Sequence, residues 1–361
     1  MSIGRPRTAV VAVRGYRPGK GAAQAEAEHG ITNAIKLASN ENPLPPVEAV
    51  QRAIVDGAVA ANRYADHRAT ELRQTLAYWL GVGADHVTVG CGSVGLLQQL
   101  VLTYVDPGDE VVYPWRSFEV YPVFTTLAGG KSVMVPLVDH AFDLDAVAEA
   151  VTSQTKLILL ATPNNPTGTA VTTAELDRMV SGISDDTIVV IDEAYREFVD
   201  PAVGDPVTEL LPKHPNVVVL RTFSKAHGLA GLRVGYAIGD PEIISSIDKT
   251  LVPFAVNGVA QAAAIAAIGA IDEIRARVAV ILSERDRVVG VLRAVGWALP
   301  DPQANFIFLP LGDRTDEICV ALEQQGVVTR PFSGEGLRVT IGTGEENDRF
   351  LTTLGTIDSP R

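Results

Sequence analysis

Lys225 and Arg233 stand eight residues apart in a stretch, RTFSKAHGLAGLR (221–233), that is poor in other charges. Lys225 follows an apolar, β-branched run, whereas the other six lysines fall where solvation explains them. A lysine buried without a partner has a lowered pKa, and its neutral amine is a nucleophile for carbonyl carbon. Arg233 keeps its charge in any surroundings and suits a phosphate group. The stretch therefore predicts carbonyl chemistry next to an anion site.

Asp192 ends a second apolar run, IVVI (188–191), and Tyr195 follows three residues later. A carboxylate at that depth is costly unless a cation or several donors pair with it, and a protonated heterocycle nitrogen would serve. The phenol of Tyr195 would add a hydrogen-bond donor nearby. The alternative for an isolated aspartate at a strand end is a capping or salt-bridge role.

Asn165 lies in TPNNPTG (162–168), where two prolines and a glycine predict a rigid turn. Such a turn would hold Asn165 as a hydrogen-bond donor at the edge of a sheet. The alternative is a turn that binds nothing.

The motif GCGSVG (90–95) opens a helical stretch and matches the GxGxxG pattern of dinucleotide-binding turns. A glycine turn at a helix N-terminus can bind phosphate through backbone N–H groups and the helix dipole. The dinucleotide interpretation also needs an acidic residue at the end of the next strand, but Asp109 and Glu110 precede that strand. A phosphate-binding turn or a turn without a ligand remains, and a nicotinamide dehydrogenase would depend on this motif alone.

These motifs follow short apolar strands that alternate with helical stretches, a pattern that predicts an α/β sheet. Runs such as LILLA and IVVI are apolar on both faces, so helices must cover both sides of the sheet. Ligands of such sheets bind at the carboxyl ends of the strands, where these polar residues fall. The predicted strands are residues 86–90, 110–114, 131–136, 156–162, 187–192, 216–223 and 233–239.

Together the motifs supply a nucleophilic lysine, a deep aspartate, a phosphate cradle with an arginine, donor groups at Asn165 and Tyr195, and an aromatic ring at Phe118. A pyridoxal 5′-phosphate (PLP) site requires this set, with a Schiff-base lysine and an acidic partner for the pyridine nitrogen. The residues therefore predict PLP as the cofactor.

After Gly239 the sequence changes to a long helical stretch, residues 260–296, with an interruption near Gly269. Further strands and helices follow, and Thr343 to Glu346 fits a capping box for the last helix. In the strand LRVTI, Arg338 lies on the face opposite the apolar residues and is expected to face a cleft. We predict an N-terminal arm, a large PLP-binding domain and a small α+β domain, at residues 1–44, 45–240 and 241–361.

The composition is that of a globular protein, with 361 residues, 47% of them hydrophobic, and enough length for two domains. The formal charge of −13 disfavours nucleic acid and anionic membranes as partners, and with them a PLP-binding transcription regulator. Cys91 and Cys319 are too few for a disulfide framework, which favours a reducing compartment. The apolar run near the start ends at Arg14, too soon for a signal peptide or membrane span. We expect a cytoplasmic protein.

The sequence resembles the fold-type I PLP-dependent aminotransferases, and within them the histidinol-phosphate aminotransferase branch, across nearly the whole chain. The resemblance implies a mostly parallel seven-stranded sheet in a large domain, a small α+β domain and a homodimer. PWRSFEVYP, and VPF followed by QAAAIA, are similar to actinobacterial aromatic amino acid aminotransferases of the same branch. The motifs of the branch present here, in its order, are LASNENP (37–43), NRYAD (62–66), TPNNPTG, IDEAY, SKAHGLAGLRVGY and GLRVTIGTGEEND.

The resemblance also implies roles around the cofactor ring. Lys225 would carry PLP, and Asp192 would pair with the ring nitrogen. Asn165 and Tyr195 would bond the phenolic oxygen of the ring, and Phe118 would stack on it. The cofactor phosphate would be bound by Gly92, Ser93, Val94, Ser224, Arg233 and, from a second subunit, Tyr64.

For the substrate, the resemblance implies that Arg338 binds the α-carboxylate and that Arg330 matches a residue that holds the phosphate of histidinol phosphate. The implied reaction is transamination between an amino acid and a 2-oxo acid such as 2-oxoglutarate. A decarboxylase of the same fold would share Lys225 and Asp192, and Arg338 favours transamination. His227 stands where a phenylalanine or tyrosine is more usual, so its role stays open.

Two substrate classes fit the residues. Histidinol phosphate needs a basic pocket, which Arg330 and Tyr16 would supply. Aromatic amino acids need an apolar slot, which would be lined by Trp115, Phe118, Tyr121 and Tyr16. The resemblance around PWRSFEVYP favours aromatic amino acids.

Overall fold

The computed structural model describes residues 4–15 and 18–357. The strands in chain order are β1 (Ile35–Lys36), β2 (Val87–Gly90), β3 (Glu110–Trp115), β4 (Lys131–Pro136), β5 (Thr155–Ala161), β6 (Ile188–Asp192), β7 (Val217–Thr222), β8 (Gly235–Gly239), β9 (Phe306–Leu309), β10 (Val327–Val328), β11 (Arg330–Phe332) and β12 (Gly336–Thr340). The seven strands predicted between residues 86 and 239 are confirmed as β2 to β8, with ends that differ by one or two residues.

The predicted helical stretch 260–296 is largely confirmed as α11 and α12. In chain order they are α1 (Thr8–Ala12), α2 (Ala22–His29), α3 (Glu48–Ala58), α4 (Thr70–Leu80), α5 (Gly92–Tyr104), α6 (Tyr121–Ala128), α7 (Leu144–Glu149), α8 (Thr173–Val180), α9 (Pro206–Glu209), α10 (Pro241–Asp248), α11 (Gly258–Gly269), α12 (Ile271–Ala294), α13 (Thr315–Gln324) and α14 (Gly344–Ile357). The predicted interruption of the long helix falls at Ala270, between α11 and α12.

The large sheet has the strand order β2-β8-β7-β6-β5-β3-β4. Its strands run parallel except β8, which is antiparallel to both of its neighbours. The carboxyl ends of six strands and the amino end of β8 therefore meet at one edge of the sheet. Ligands of open α/β sheets bind at such an edge.

Both faces of the sheet are buried, as the apolar strands predict. In β5, Ile158 and Leu160 belong to one hydrophobic core, and Leu157 and Leu159 belong to the other. Helices α4 and α8 contribute side chains to the first core, and α5 and α10 contribute to the second. This two-sided burial explains why the central strands lack polar alternation and why their polar residues collect at the ends.

The C-terminal third contains an antiparallel sheet of order β11-β12-β9. Strand β10 pairs in parallel with β1, so residues near 35 of the N-terminal segment join this part of the molecule. Helix α11 packs against α3 and α4. The division into an arm (1–44) and two domains (45–240 and 241–361) stays a proposal.

The described ranges contain no helix that is both long and apolar enough to cross a lipid bilayer. Cys91 is exposed and Cys319 is buried, and each is a free thiol. The cytoplasmic location stays a prediction.

The predicted capping box at the start of α14 is confirmed. Thr343 N–H donates to Glu346 Oε2 at 2.8 Å, and Glu346 N–H donates to Thr343 Oγ1 at 3.3 Å. We expect Thr343→Ala to lower the free energy of unfolding by about 1 kcal/mol, because a helix N-terminal donor loses its acceptor. Urea denaturation followed by circular dichroism measures this loss. Thr352→Ala, at an exposed position within the same helix, is the matched control; an equal loss there would contradict the capping role.

Candidate active site

A cavity of about 230 Å³ opens at the carboxyl edge of the large sheet. It brings together most of the predicted site residues, although they are far apart in sequence. Those that line it are Ser93, Val94, Phe118, Asn165, Asp192, Tyr195, Ser224, Lys225, Arg233, Arg330 and Arg338.

The direction of β8 explains why Arg233 reaches this cavity. Arg233 precedes β8, and the antiparallel direction places the start of that strand at the carboxyl edge of its neighbours. A 3₁₀ turn, Ala230–Leu232, comes before it, and Arg233 itself has a left-handed backbone with φ of 59°. Arg233 is therefore part of a turn, rather than of the strand as predicted.

Lys225 follows β7 and extends its amine into the cavity. Its Nζ donates to the backbone oxygen of Ser39 at 3.3 Å and lies 5.7 Å from the ring centroid of Tyr195. Burial lowers the pKa of Lys225 to about 7, and the positive charge of Arg338 adds to this effect. A substantial fraction of the amine is neutral near pH 7, the form that can attack a carbonyl carbon or accept a proton.

Asp192, the last residue of β6, is buried at the base of the cavity. Tyr121 Oη donates to Asp192 Oδ2 at 3.4 Å. The other oxygen, Oδ1, has no hydrogen-bond partner among residues 4–15 and 18–357. Burial raises the pKa of Asp192 to about 7, against the opposing hydrogen bonds from Tyr121 and the Ala194 N–H. A cationic N–H group placed against Oδ1 would satisfy this carboxylate and restore its ionised form.

Asn40, which is not among the predicted site residues, contacts the site by a hydrogen bond to Tyr195. Asn40 Nδ2 donates to Tyr195 Oη at 2.8 Å, and Thr340 Oγ1 donates to Asn40 Oδ1 at 3.1 Å. Asn40 is buried, lines the cavity and has a left-handed φ of 52°. The asparagine in LASNENP could have indicated this position, because asparagine tolerates a left-handed backbone better than most residues.

The start of α5 and the turn at Arg233 form an anion cradle. Gly92 has a φ of 73°, and a Cβ atom at this position would lie 2.5 Å from Arg233 Nη2. Glycine is therefore required for the guanidinium to pack against the helix N-terminus. Arg233 Nη1 also donates to Ser224 Oγ at 3.4 Å, and Thr222, which was not predicted, lines the same part of the cavity. Backbone N–H groups, hydroxyls and a guanidinium at a helix N-terminus suit a phosphate.

The first asparagine of the turn after β5 bonds the turn to a neighbouring loop, while the rigidity of the turn stays a prediction. Asn164 is fully buried, accepts from Ser117 Oγ at 2.8 Å and donates to Arg116 O at 3.1 Å. These bonds fasten the turn to the loop that carries Phe118. Asn165, the next residue, faces the cavity.

Arg338 and Arg330 lie directly opposite each other in the antiparallel pair β11–β12. Arg338 Nη1 donates to Asn165 Oδ1 at 2.5 Å, and its Nη2 donates to Ala38 O at 2.7 Å. Leu337 and Val339 enter the core, so Arg338 faces away from it, as the alternation predicted. Arg330 forms an ion pair at 2.7 Å with Glu119, a cavity residue that was not predicted.

Several predicted residues lie elsewhere. Tyr64 is 84% exposed and stacks on Phe254 with ring centroids 4.5 Å apart, outside this chain's cavity. Gly92 does not line the cavity and lies against Arg233. Tyr16 falls outside the described residues. His227 is buried beside Glu197, with Nε2 and Oε1 3.2 Å apart, and does not line the cavity.

Of the aromatic residues predicted to line an apolar slot, Phe118 does so. Tyr121 is fully buried behind the cavity against Asp192. The guanidinium carbon of Arg116 lies 4.5 Å from the ring centroid of Trp115, and Trp115 does not line the cavity. The periodicity of the sequence could not separate Trp115, Phe118 and Tyr121, because all three lie at or just after the end of β3.

An amine poised for carbonyl chemistry, facing a buried carboxylate at the edge of a mostly parallel sheet, is an arrangement that aminotransferases use. The family model for aminotransferase class I and II matches residues 32–354. The chain belongs to this family, and its fold is the fold type I of PLP-dependent aminotransferases.

The sequences of relatives align with almost the whole chain. It is 49% identical over 351 residues to a Thermobifida fusca protein named aromatic amino acid aminotransferase, covering 97% of this chain and 96% of that one. A Streptomyces coelicolor protein of the same name is 50% identical over 337 residues, covering 93% and 92%. Among solved structures, the histidinol-phosphate aminotransferase from Sinorhizobium meliloti in complex with pyridoxal-5′-phosphate superposes with a TM-score of 0.91 at 28% identity, covering 99% and 98%.

We expect Asp192→Asn to stabilise the cofactor-free protein in a pH-dependent way. The pKa of Asp192 is raised from 3.8 to about 7 on folding. Its contribution to stability is therefore complete below the unfolded pKa and is lost as pH rises through the folded value. Asparagine does not ionise, so the advantage of the variant in free energy of unfolding should grow from about pH 4 to about pH 7 and stay constant above.

Urea titrations of both proteins across this pH range measure the difference. Asp56→Asn, at an exposed position in α3, is the matched control and should show no such trend. An advantage of Asp192→Asn that is independent of pH would contradict the raised pKa.

Proposed function

We propose that this protein is a PLP-dependent aminotransferase that moves an amino group between an aromatic amino acid and a 2-oxo acid such as 2-oxoglutarate. The observation that carries the proposal is one cavity holding the Lys225 amine, the buried Asp192 carboxylate and, on either side, Arg233 and Arg338. These groups would suit the binding of an amino acid and of a phosphorylated pyridine cofactor.

Two observations support the fit of the cavity residues to PLP. Asp192 Oδ1 is buried and lacks a partner within the described chain, which suits a protonated ring nitrogen. The cradle at Gly92 excludes even a Cβ atom beside Arg233 and presents the N-terminus of α5, which suits the phosphate. When bound, PLP supplies an electron sink for the charge that develops at the substrate Cα.

The side chains of the chain have separate tasks in this proposal. Lys225 would hold the cofactor, and its neutral amine would take the proton from the substrate Cα. Asp192 would accept the N–H of the ring nitrogen and so favour a positive charge there. Asn165 and Tyr195, which is positioned by Asn40, would donate to the phenolic oxygen of the ring. General acid–base catalysis of this kind contributes about 10²–10⁴ to rate.

Arg338 is proposed to bind the substrate α-carboxylate. Hydrogen bonds to Asn165 Oδ1 and Ala38 O hold the guanidinium at the cavity, where it can bind a carboxylate. Holding the carboxylate fixes the substrate while the Cα–H bond breaks, as transamination requires. A decarboxylase would instead need the bond to the carboxylate oriented for cleavage.

The choice of aromatic amino acids is supported by the names of relatives that are 47–50% identical over at least 93% of the chain. Apolar groups of Phe118, Pro18 and Pro163 line the cavity and suit an uncharged side chain. Histidinol phosphate is the alternative, supported by the names of structural neighbours such as the Sinorhizobium meliloti enzyme.

A homodimer is also proposed, with Tyr64 reaching the phosphate in the site of the second subunit. Tyr64, Phe254 and Val252 are large apolar residues that are 84%, 41% and 67% exposed. Tyr64 stacks on Phe254, which holds its phenol at the surface. Such an exposed apolar group favours an interface with another chain.

Lys225→Ala should lower kcat for transamination of phenylalanine by at least about a thousandfold, because both the covalent attachment and the proton transfer are lost. The same variant should lose the visible absorption of the lysine-bound cofactor. Lys213→Ala is the matched control, since Lys213 is 56% exposed and pairs with Asp177 on the surface. Retention of both activity and absorption in Lys225→Ala would rule out the assignment.

Phenylalanine and tyrosine should be better substrates than histidinol phosphate with 2-oxoglutarate as acceptor, by at least about tenfold in kcat/KM. Steady-state rates with each amino donor measure this preference, and release of carbon dioxide tests for decarboxylation. A preference for histidinol phosphate would replace the substrate assignment and leave the aminotransferase assignment intact.

A further inference from the structure

Two arginines share one face of the β11–β12 pair at the cavity. Arg330 and Arg338 are direct cross-strand partners. Both guanidinium carbons lie near the ring of Phe332, at 5.7 Å and 5.9 Å from its centroid. Like charges directly opposite each other in a sheet are unfavourable unless a counter-charge is close.

Arg330 has a carboxylate as its counter-charge. Its Nη2 lies 2.7 Å from Glu119 Oε2, and its Nη1 donates to Pro18 O at 3.2 Å. Arg330 and Glu119 are 14% and 34% exposed in their side chains, so the pair is partly shielded from water. Both residues line the cavity.

The charges of the cavity then divide into three zones. Arg233 stands at the α5 N-terminus, the zone for the cofactor phosphate. Arg338 faces the zone for the substrate carboxylate. The third cation, Arg330, is neutralised by Glu119. The part of the cavity wall formed by these two residues therefore presents an ion pair to the rest of a substrate.

We propose that Glu119 is a specificity-determining residue: by pairing with Arg330 it makes this wall electrically neutral and selects amino donors with an uncharged side group over donors with a phosphate. The inference rests on the proposed function. A phosphate approaching Arg330 would also come close to the Glu119 carboxylate, and the two negative charges would repel each other. Glu119 therefore acts by repulsion as well as by occupying Arg330.

Glu119→Gln keeps the size of the side chain and removes its charge. We expect the ratio of kcat/KM for histidinol phosphate to that for phenylalanine to rise about tenfold or more, mainly through KM for histidinol phosphate. Glu335→Gln is the matched control, because Glu335 is 38% exposed, pairs with Arg116 at 2.5 Å and does not line the cavity. Its ratio should stay at the wild-type value.

The double variant Glu119→Gln/Arg330→Gln tests whether the gain passes through Arg330. It should lose the gain of the single variant, since residue 330 then carries no charge to attract the phosphate. A gain that persists in the double variant, or that appears equally in Glu335→Gln, would overturn the proposal, as would an unchanged ratio in Glu119→Gln.

A binding measurement separates this proposal from the proposed function. Phenyl phosphate has no amine to transfer, and its affinity for the cofactor-loaded protein can be measured by calorimetry. Its Kd should fall about tenfold in Glu119→Gln and not in Glu335→Gln. If no amino donor reacts with the wild type, the proposed function fails, whereas an unchanged Kd in Glu119→Gln overturns the role of Glu119 by itself.

Discussion

The cost of burying charge at the end of β6 organises the rest of the site. Asp192 and Glu193 are neighbours in sequence and both are buried. Glu193 is compensated by the chain itself, since Arg221 Nε donates to its Oε2 at 2.8 Å and Arg196 lies 3.4 Å from Oε1. No cation of the described chain contacts Asp192 in this way. Two arginines therefore neutralise Glu193, whereas Asp192 Oδ1 has no hydrogen-bond partner within the described residues.

This difference also shows what a sequence pattern can and cannot predict. The apolar runs and their polar ends were sufficient to find Asp192, Asn165 and Lys225, because the carboxyl ends of parallel strands must meet. The alternation in β12 was sufficient to place Arg338. These inferences need only strand periodicity and the rule for sheet edges.

Other features depend on contacts that no local pattern encodes. Asn40 meets Thr340 across 300 residues of sequence, and its hydrogen bond to Tyr195 exists only in the folded chain. The Glu119–Arg330 pair joins residues 211 apart. The antiparallel direction of β8 was not predictable from its composition, although it decides where Arg233 lies. Tyr64 projects away from its own cavity, so its proposed role depends on a second chain.

The segment from Leu37 to Asn40 forms hydrogen bonds with Lys225, Arg338 and Tyr195. Its backbone accepts from Lys225 at Ser39 and from Arg338 at Ala38, while Leu37 is bonded to β10 and β12 on its other side. The segment therefore lies between the C-terminal strands and Lys225 and forms hydrogen bonds with both. The amine of Lys225, the guanidinium of Arg338 and the phenol of Tyr195 each bond to this one segment, so the spacing between the three groups depends on where it lies.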